Sequence, residues 1–143
     1  MRKYGDSRTD IYQNRRKIME TNTIVENSRT QMRRGVLEYS ILLVLRCSDD
    51  YASSIIQKLK DVDIIVVEGT LYPLLIRLKN LGLLTYRWEE SPQGPPRKYY
   101  MITDKGREQL AELDSTWQEL VKSIESIRNS SLLPAAGTCG ESR

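Results

Sequence analysis

The chain has 143 residues, 39% of them hydrophobic and 29% charged, which is enough apolar material for one modest core and too much for a chain disordered throughout. A net charge of +3 is compatible with a nucleic-acid partner without demanding one. The chain has no histidine, which removes Ser-His, Cys-His and His-ligated zinc chemistry, and Cys47 and Cys139 form no CxxC pair, so a disulfide framework is not expected and a reducing cytoplasm is.

Residues 1–31 carry scattered charge, Asn, Ser and Thr with few apolar side chains, a composition that predicts a flexible arm. Arg15, Arg16 and Lys17 make a short basic cluster in it, read as solvated rather than as a DNA arm. Met19 offers an alternative translation start. The polar N-terminus, with no apolar stretch, is not expected to act as a secretory leader. The longest apolar run, Val36 to Leu45, is interrupted by Glu38, Tyr39 and Ser40, so no membrane span is expected. A first helix is predicted from Arg33 to about Cys47, burying Val36, Leu37, Ser40, Ile41, Val44 and Leu45. Cys47 reads as a buried thiol. Asp49 or Asp50 can cap a second helix, Tyr51–Lys60, with Ile55, Ile56 and Leu59 inward. Residues 61–67 form a connector with a short β-prone run. Asp61 and Asp63 in it read as solvated, not as a Mg²⁺ site.

The third helix lies in EGTLYPLLIRLKNLGLL, residues 68–84. Leu71, Leu74, Leu75, Leu78 and Leu81 cluster on one face. Gly69, Pro73, Ile76, Arg77 and Asn80 occupy the other, with Thr70 and Tyr72 on its flanks. Pro73 fits if the helix begins at about Thr70, with Thr70 as cap and Pro73 in the first turn. A much earlier start would cost about 3 kcal/mol. Gly82 is the stop signal. A helix N-terminus with small residues lets backbone approach a phosphate closely. Thr and Tyr hydroxyls can bond phosphate or base edges, and Arg77 can reach guanine or phosphate.

Residues 83–90 and 97–103 have strand character and flank SPQGPP, predicting a β-hairpin with a stiff tip. Arg97 and Lys98 beyond the tip can grip a phosphate backbone, diluted by Glu89 and Glu90. Tyr99 and Tyr100 alternate in facing, so one packs inward. Thr103 caps a last helix, Asp104 to about Arg128. Its apolar residues Leu110, Leu113, Trp117, Leu120, Ile124 and Ile127 alternate in steps of three and four, the seam of a coiled coil. Left bare in a monomer, that seam needs the first helix or a second subunit as cover. Residues 129–143 read as a disordered tail. The fold class is therefore mainly α with a small β-hairpin. A winged helix-turn-helix domain spans 32–103, and a dimerisation helix is appended over 104–128.

GTLYPLLIRLKNLGLL, RWEE, GPPRKYY and ITDKGREQL, in this order, resemble the PadR-type transcriptional regulators. The resemblance covers Met32 to Ile127. It implies a homodimeric winged-helix protein that binds a double-stranded DNA operator, usually as a repressor, and dimerises through the C-terminal helix. Recognition-helix contacts carry over to Thr70, Tyr72 and Pro73, and wing contacts to Arg97 and Lys98. The second helix departs from the family: YASS (51–54) stands where Tyr-Gly-Tyr is common, which puts contacts from that helix in doubt. A single C-terminal helix implies the short subfamily. Trp117 reads first as a dimer-core aromatic. In multidrug-binding members a Trp on this helix stacks on planar drugs, which extends to Trp117 as contact for a planar hydrophobic effector. The alternative reading is a winged-helix protein-interaction module without specific DNA binding. No carboxylate pair meets in an evident cleft, so an enzyme, a cofactor or a metal site is not expected.

Overall fold

In a computed structural model that describes residues 7–130, α1 (Ser7–Leu45) is followed by β1 (Asp50–Tyr51), α2 (Ala52–Asp61), α3 (Glu68–Asn80), β2 (Leu84–Ser91), β3 (Gly94–Ile102) and α4 (Asp104–Arg128). The first helix corrects the flexible-arm expectation, because from Ser7 onward the chain is helical and continuous with the helix predicted at Arg33. Between Ser7 and Arg34 there is no glycine or proline to stop it. The hydroxyls of Thr21, Thr23 and Thr30 donate to the carbonyls one turn back. Only the C-terminal part of α1 enters the core. The tail expected at 129–143 lies, from residue 131 on, outside the described residues.

Leu37, Ile41, Leu42 and Leu45 of α1 meet Ala52, Ile55 and Leu59 of α2, Leu71, Leu75 and Leu78 of α3, and Leu84, Tyr100 and Leu110. Burying each such aliphatic side chain contributes about 1.5–3 kcal/mol. The chain turns outward after Leu45, so Cys47 is exposed and not the buried thiol expected. Asp50 is only 5% exposed, and its carboxylate accepts from the Tyr51 N–H (3.0 Å), Ser54 Oγ (2.9 Å) and Lys58 Nζ (2.6 Å). Neither Asp49 nor Asp50 caps α2, whose N-cap is Tyr51 without a side-chain bond; Asp50 instead holds Ser54 and Lys58 on that helix. The β-prone run at 64–67 has Val66 buried and Ile65 and Val67 exposed, yet it forms no strand, because no described strand pairs with it.

The sheet has three antiparallel strands in the order β1-β3-β2, one more than the predicted hairpin. Asp50 and Tyr51 pair with Tyr100 and Tyr99. The hairpin tip is tighter than SPQGPP suggested: Ser91 pairs with Gly94 across Pro92 and Gln93, with an irregularity between Glu89 and Ser91. As predicted, Gly82 ends α3 with a left-handed φ of 76°. Its N–H donates to Lys79 O and the Leu83 N–H to Leu78 O, the paired closure of a Schellman motif. Leu81, expected inward, is 46% exposed at this end.

Thr103 caps α4 as predicted, accepting from the Gly106 N–H at 3.0 Å while its hydroxyl donates to Gly82 O at 2.6 Å. From there α4 runs antiparallel to α1: Arg107 donates to Arg46 O at one end, and further along Tyr39 meets Asp114 and Trp117. Leu110, expected in a dimer seam, is 3% exposed inside the chain's own core, and Leu113 packs against that core. The uncovered seam starts one turn later, at Trp117, Leu120, Ile124 and Ile127.

The Tyr39 phenol donates to Asp114, and this bond, with burial second, pushes its pKa above the usual tyrosine value. The folded state therefore keeps a proton that the unfolded state releases from about pH 10 upward. The contribution is fully present below that pH and is lost as pH rises through the folded value. Tyr39→Phe should lower stability by about 1 kcal/mol at neutral pH. Its stability and that of the wild type should converge on the alkaline side; a gap that stays constant to about pH 11 in urea melts would refute the role given to this bond.

Candidate nucleic-acid interface

α3 begins at Glu68 with Val67 as N-cap, two residues before the predicted start, and no side chain caps it. Thr70 is thus inside the helix, its N–H donating to Val67 O at 2.9 Å. Pro73 falls in the second turn, where it withholds the donor that Gly69 O would otherwise receive. A Cβ added at Gly69 would meet no atom within 4 Å, so this end of the helix is open to a large ligand.

The outward side of α3 divides into two flanks. Tyr72, Ile76 and Lys79, spaced four and three apart, look toward the wing. Tyr72 and Ile76 are 44% and 56% exposed, and Lys79 lies 5.9 Å from the Tyr86 ring. Across the gap stands the wing face formed by Tyr86, Trp88, Lys98 and Tyr100, which are cross-strand pairs in the register of β2 and β3. Lys98 Nζ sits 4.2 Å from the Tyr86 ring centre and 5.1 Å from that of Trp88. Arg97 stacks on Tyr51 at 4.6 Å. Together Tyr51, Ser53, Tyr72, Ile76, Trp88, Arg97 and Lys98 line a cavity of about 340 Å³ between helices and wing.

The chemistry of this groove is aromatic and cationic. A cation over a ring gains about 0.5–1 kcal/mol at an exposed site and keeps N–H donors free for an anion. The rings therefore position Arg97 and Lys98 without neutralising them, which suits a phosphate backbone. Trp88, 64% exposed, adds a flat apolar surface beside them. Burial raises the pKa of Tyr100 at the floor, with the Tyr72 and Tyr86 phenols adding to it.

Of the residues predicted to touch DNA, Tyr72, Arg97 and Lys98 come together here. Pro73 and Asn80 are exposed on α3, and Thr70 is half-buried. Arg77 lies on the opposite flank and pairs with Glu38 of α1, 39 residues away in sequence. Its side chain stays 62% exposed, and an ion pair that open to solvent is weak. Ile76, placed by its spacing on the outward face, joins Tyr72, Arg97 and Lys98, while Trp88, Tyr51 and Ser53 are not among the predicted contacts. For Trp88 the signal is present, because alternation along β2 puts it on the face of Tyr86. For Tyr51 and Ser53 it is not, since β1 is not legible in the sequence. Among the described residues, no group of three His, Cys, Asp or Glu could hold a metal ion, and no helix is long and apolar enough to cross a membrane.

Residues 41–112 match the family described as Transcriptional regulator PadR-like family. A PadR-like transcription factor from Bacteroides fragilis is 58% identical, with a TM-score of 0.61 over 71% of this chain and 98% of its own. A PadR family transcriptional regulator from Eggerthella lenta is 32% identical, with a TM-score of 0.70 over 79% of this chain and 99% of its own. An uncharacterized protein from Lysinibacillus sphaericus is 30% identical over 100 residues, 68% of this chain and 92% of its own length.

Proposed function

The chain belongs to the PadR-like family of transcriptional regulators, and from that premise we propose that it acts in the cytoplasm as a homodimeric repressor that occupies a promoter operator and blocks polymerase. α3 enters the major groove by its Tyr72 and Pro73 end, with Thr70 and Asn80 beside it, and the wing holds the flanking backbone through Arg97 and Lys98. The observation that carries this reading is the meeting of Tyr72, Arg97 and Lys98 around one open groove. The dimer is supported by the exposed Trp117, Leu120, Ile124 and Ile127 of α4. Support for a planar hydrophobic effector at Trp117 comes from a cavity of about 430 Å³ lined by Met32, Arg33, Val36, Trp117 and Leu120.

Selection of bound duplexes from a random pool tests the whole reading. The expected product is a pseudo-palindrome with half-sites about 10 bp, or a multiple of that, apart. No enrichment, together with no salt-dependent binding to mixed duplex, would favour the protein-interaction module. On the selected operator, Tyr72→Ala should cost about 1–3 kcal/mol and relax the preference at one position. Arg77→Ala should weaken binding less and leave the preference unchanged, since that side chain lies on the flank away from the groove; a lost base preference in Arg77→Ala would reverse the assignment.

A further inference from the structure

Every residue from Ile11 to Gly35 is exposed, although α1 runs unbroken through this stretch into the core. Helix propensity alone holds such a segment weakly in water. Its apolar residues have an order: Ile11, Ile18, Val25 and Met32 recur every seven positions and are 54%, 53%, 44% and 76% exposed. A seven-residue repeat keeps one stripe against a supercoiled partner, whereas the stripe of a straight solvated helix would drift. At Met32 the stripe reaches the cavity it shares with Trp117 and Leu120, and so runs into the uncovered seam of α4.

The antiparallel pairing places Tyr39 beside Trp117, so Arg128, eleven residues further along α4, lies level with about residue 28 of α1. Beyond that point no other described residue lies beside α1, over roughly 30 Å. Charge indicates what lies against it. Between Ile11 and Arg34 there are six Lys/Arg against two Asp/Glu, while α4 carries four against six. The projecting helix and α4 thus share a repeat and have opposite net charge. Among the described residues, the chain's own α4 ends too early to cover Ile11, Ile18 and Val25. Two α4 helices paired antiparallel through their seams would carry the partner's α4 past that end.

We infer that the projecting half of α1 clasps a second copy of this chain, laying its Ile11–Met32 stripe along the α4 of the partner. The clasp rests on the dimer proposed above and adds a second contact to it, made by residues outside the winged-helix domain.

The test is sedimentation equilibrium of the full chain carrying Ile11→Glu, Ile18→Glu and Val25→Glu together. The dimer dissociation constant should rise at least tenfold. The matched triple change to leucine should stay within threefold of the wild type, which separates loss of the stripe from any general effect of substitution. Tyr12→Glu with Met19→Glu, at exposed positions off the stripe, should leave the dimer intact. A dimer unmoved by the glutamate triple overturns the clasp and leaves the α4 dimer standing. If that triple instead lowers only non-specific duplex binding, the clasp is overturned in favour of a DNA-contacting arm. A wild type that is monomeric throughout the concentration range removes the dimer and the clasp together.

Discussion

Gly106→Ala is expected to destabilise the fold by about 3 kcal/mol, although helix propensity alone would credit alanine with a gain of about 1 kcal/mol at a helical position. The two effects have opposite signs, so the measurement is decisive. A Cβ at Gly106 would lie 2.1 Å from the Leu83 carbonyl oxygen and 2.8 Å from Ile102 Cγ1. The oxygen is the serious obstacle, because it is backbone and already accepts the Thr103 N–H at 3.1 Å. Moving it would disturb the Thr103 cap, which ties the Gly106 N–H to Gly82 O, and the Lys105 bond to Leu81 O at 2.8 Å. The end of α3, the root of the wing and the start of α4 are fastened at this one place. Urea denaturation monitored by circular dichroism reads the change. Stability within about 1 kcal/mol of the wild type would mean that the close approach is not a constraint.

That junction separates what the residues disclose locally from what they do not. Thr103 as cap, Gly82 as stop and the leucines of α3 are legible because each is a local device: a hydroxyl before a helix, a glycine at positive φ, a period of about 3.6 residues. The reason for Gly106 is not local, since only the approach of Leu83 explains it. The same holds for Arg77, whose partner Glu38 comes from another helix, and for β1, whose two residues are a strand only because Tyr99 and Tyr100 pair with them. The start of α3 departs from the expected one for a different reason: Val67 caps without a side-chain bond, so residue type carries no signal there. In α4 the period of three and four runs unbroken from Leu110 to Ile127. Nothing in that period says where the chain's own core ends and free seam begins. The early part of α1 is hidden by its composition, because a helix that packs on none of the described residues shows no broad apolar face.

The wing carries the other large effect. In Arg97→Ala with Lys98→Ala, operator affinity should fall about ten- to hundredfold at physiological salt, and the slope of log affinity against log salt should shrink by about 2. Lys98 is held between Tyr86 and Trp88, and Arg97 lies on Tyr51, so neither cation spends itself on a carboxylate. By contrast Arg87, on the sheet face of Arg97, is shared between Asp49 and Glu89 and has less to offer a phosphate. Arg87→Ala is therefore the control and should move the slope little. Trp88→Ala keeps both charges but removes one ring from beside Lys98. It should lower affinity while leaving most of the salt slope, because the number of phosphates neutralised is unchanged and only the positioning of one cation is lost. If Trp88→Ala and the double alanine variant reduce the slope equally, the ring acts on DNA through the charge alone. If neither changes it, the wing does not touch the backbone, and α3 must bind unaided.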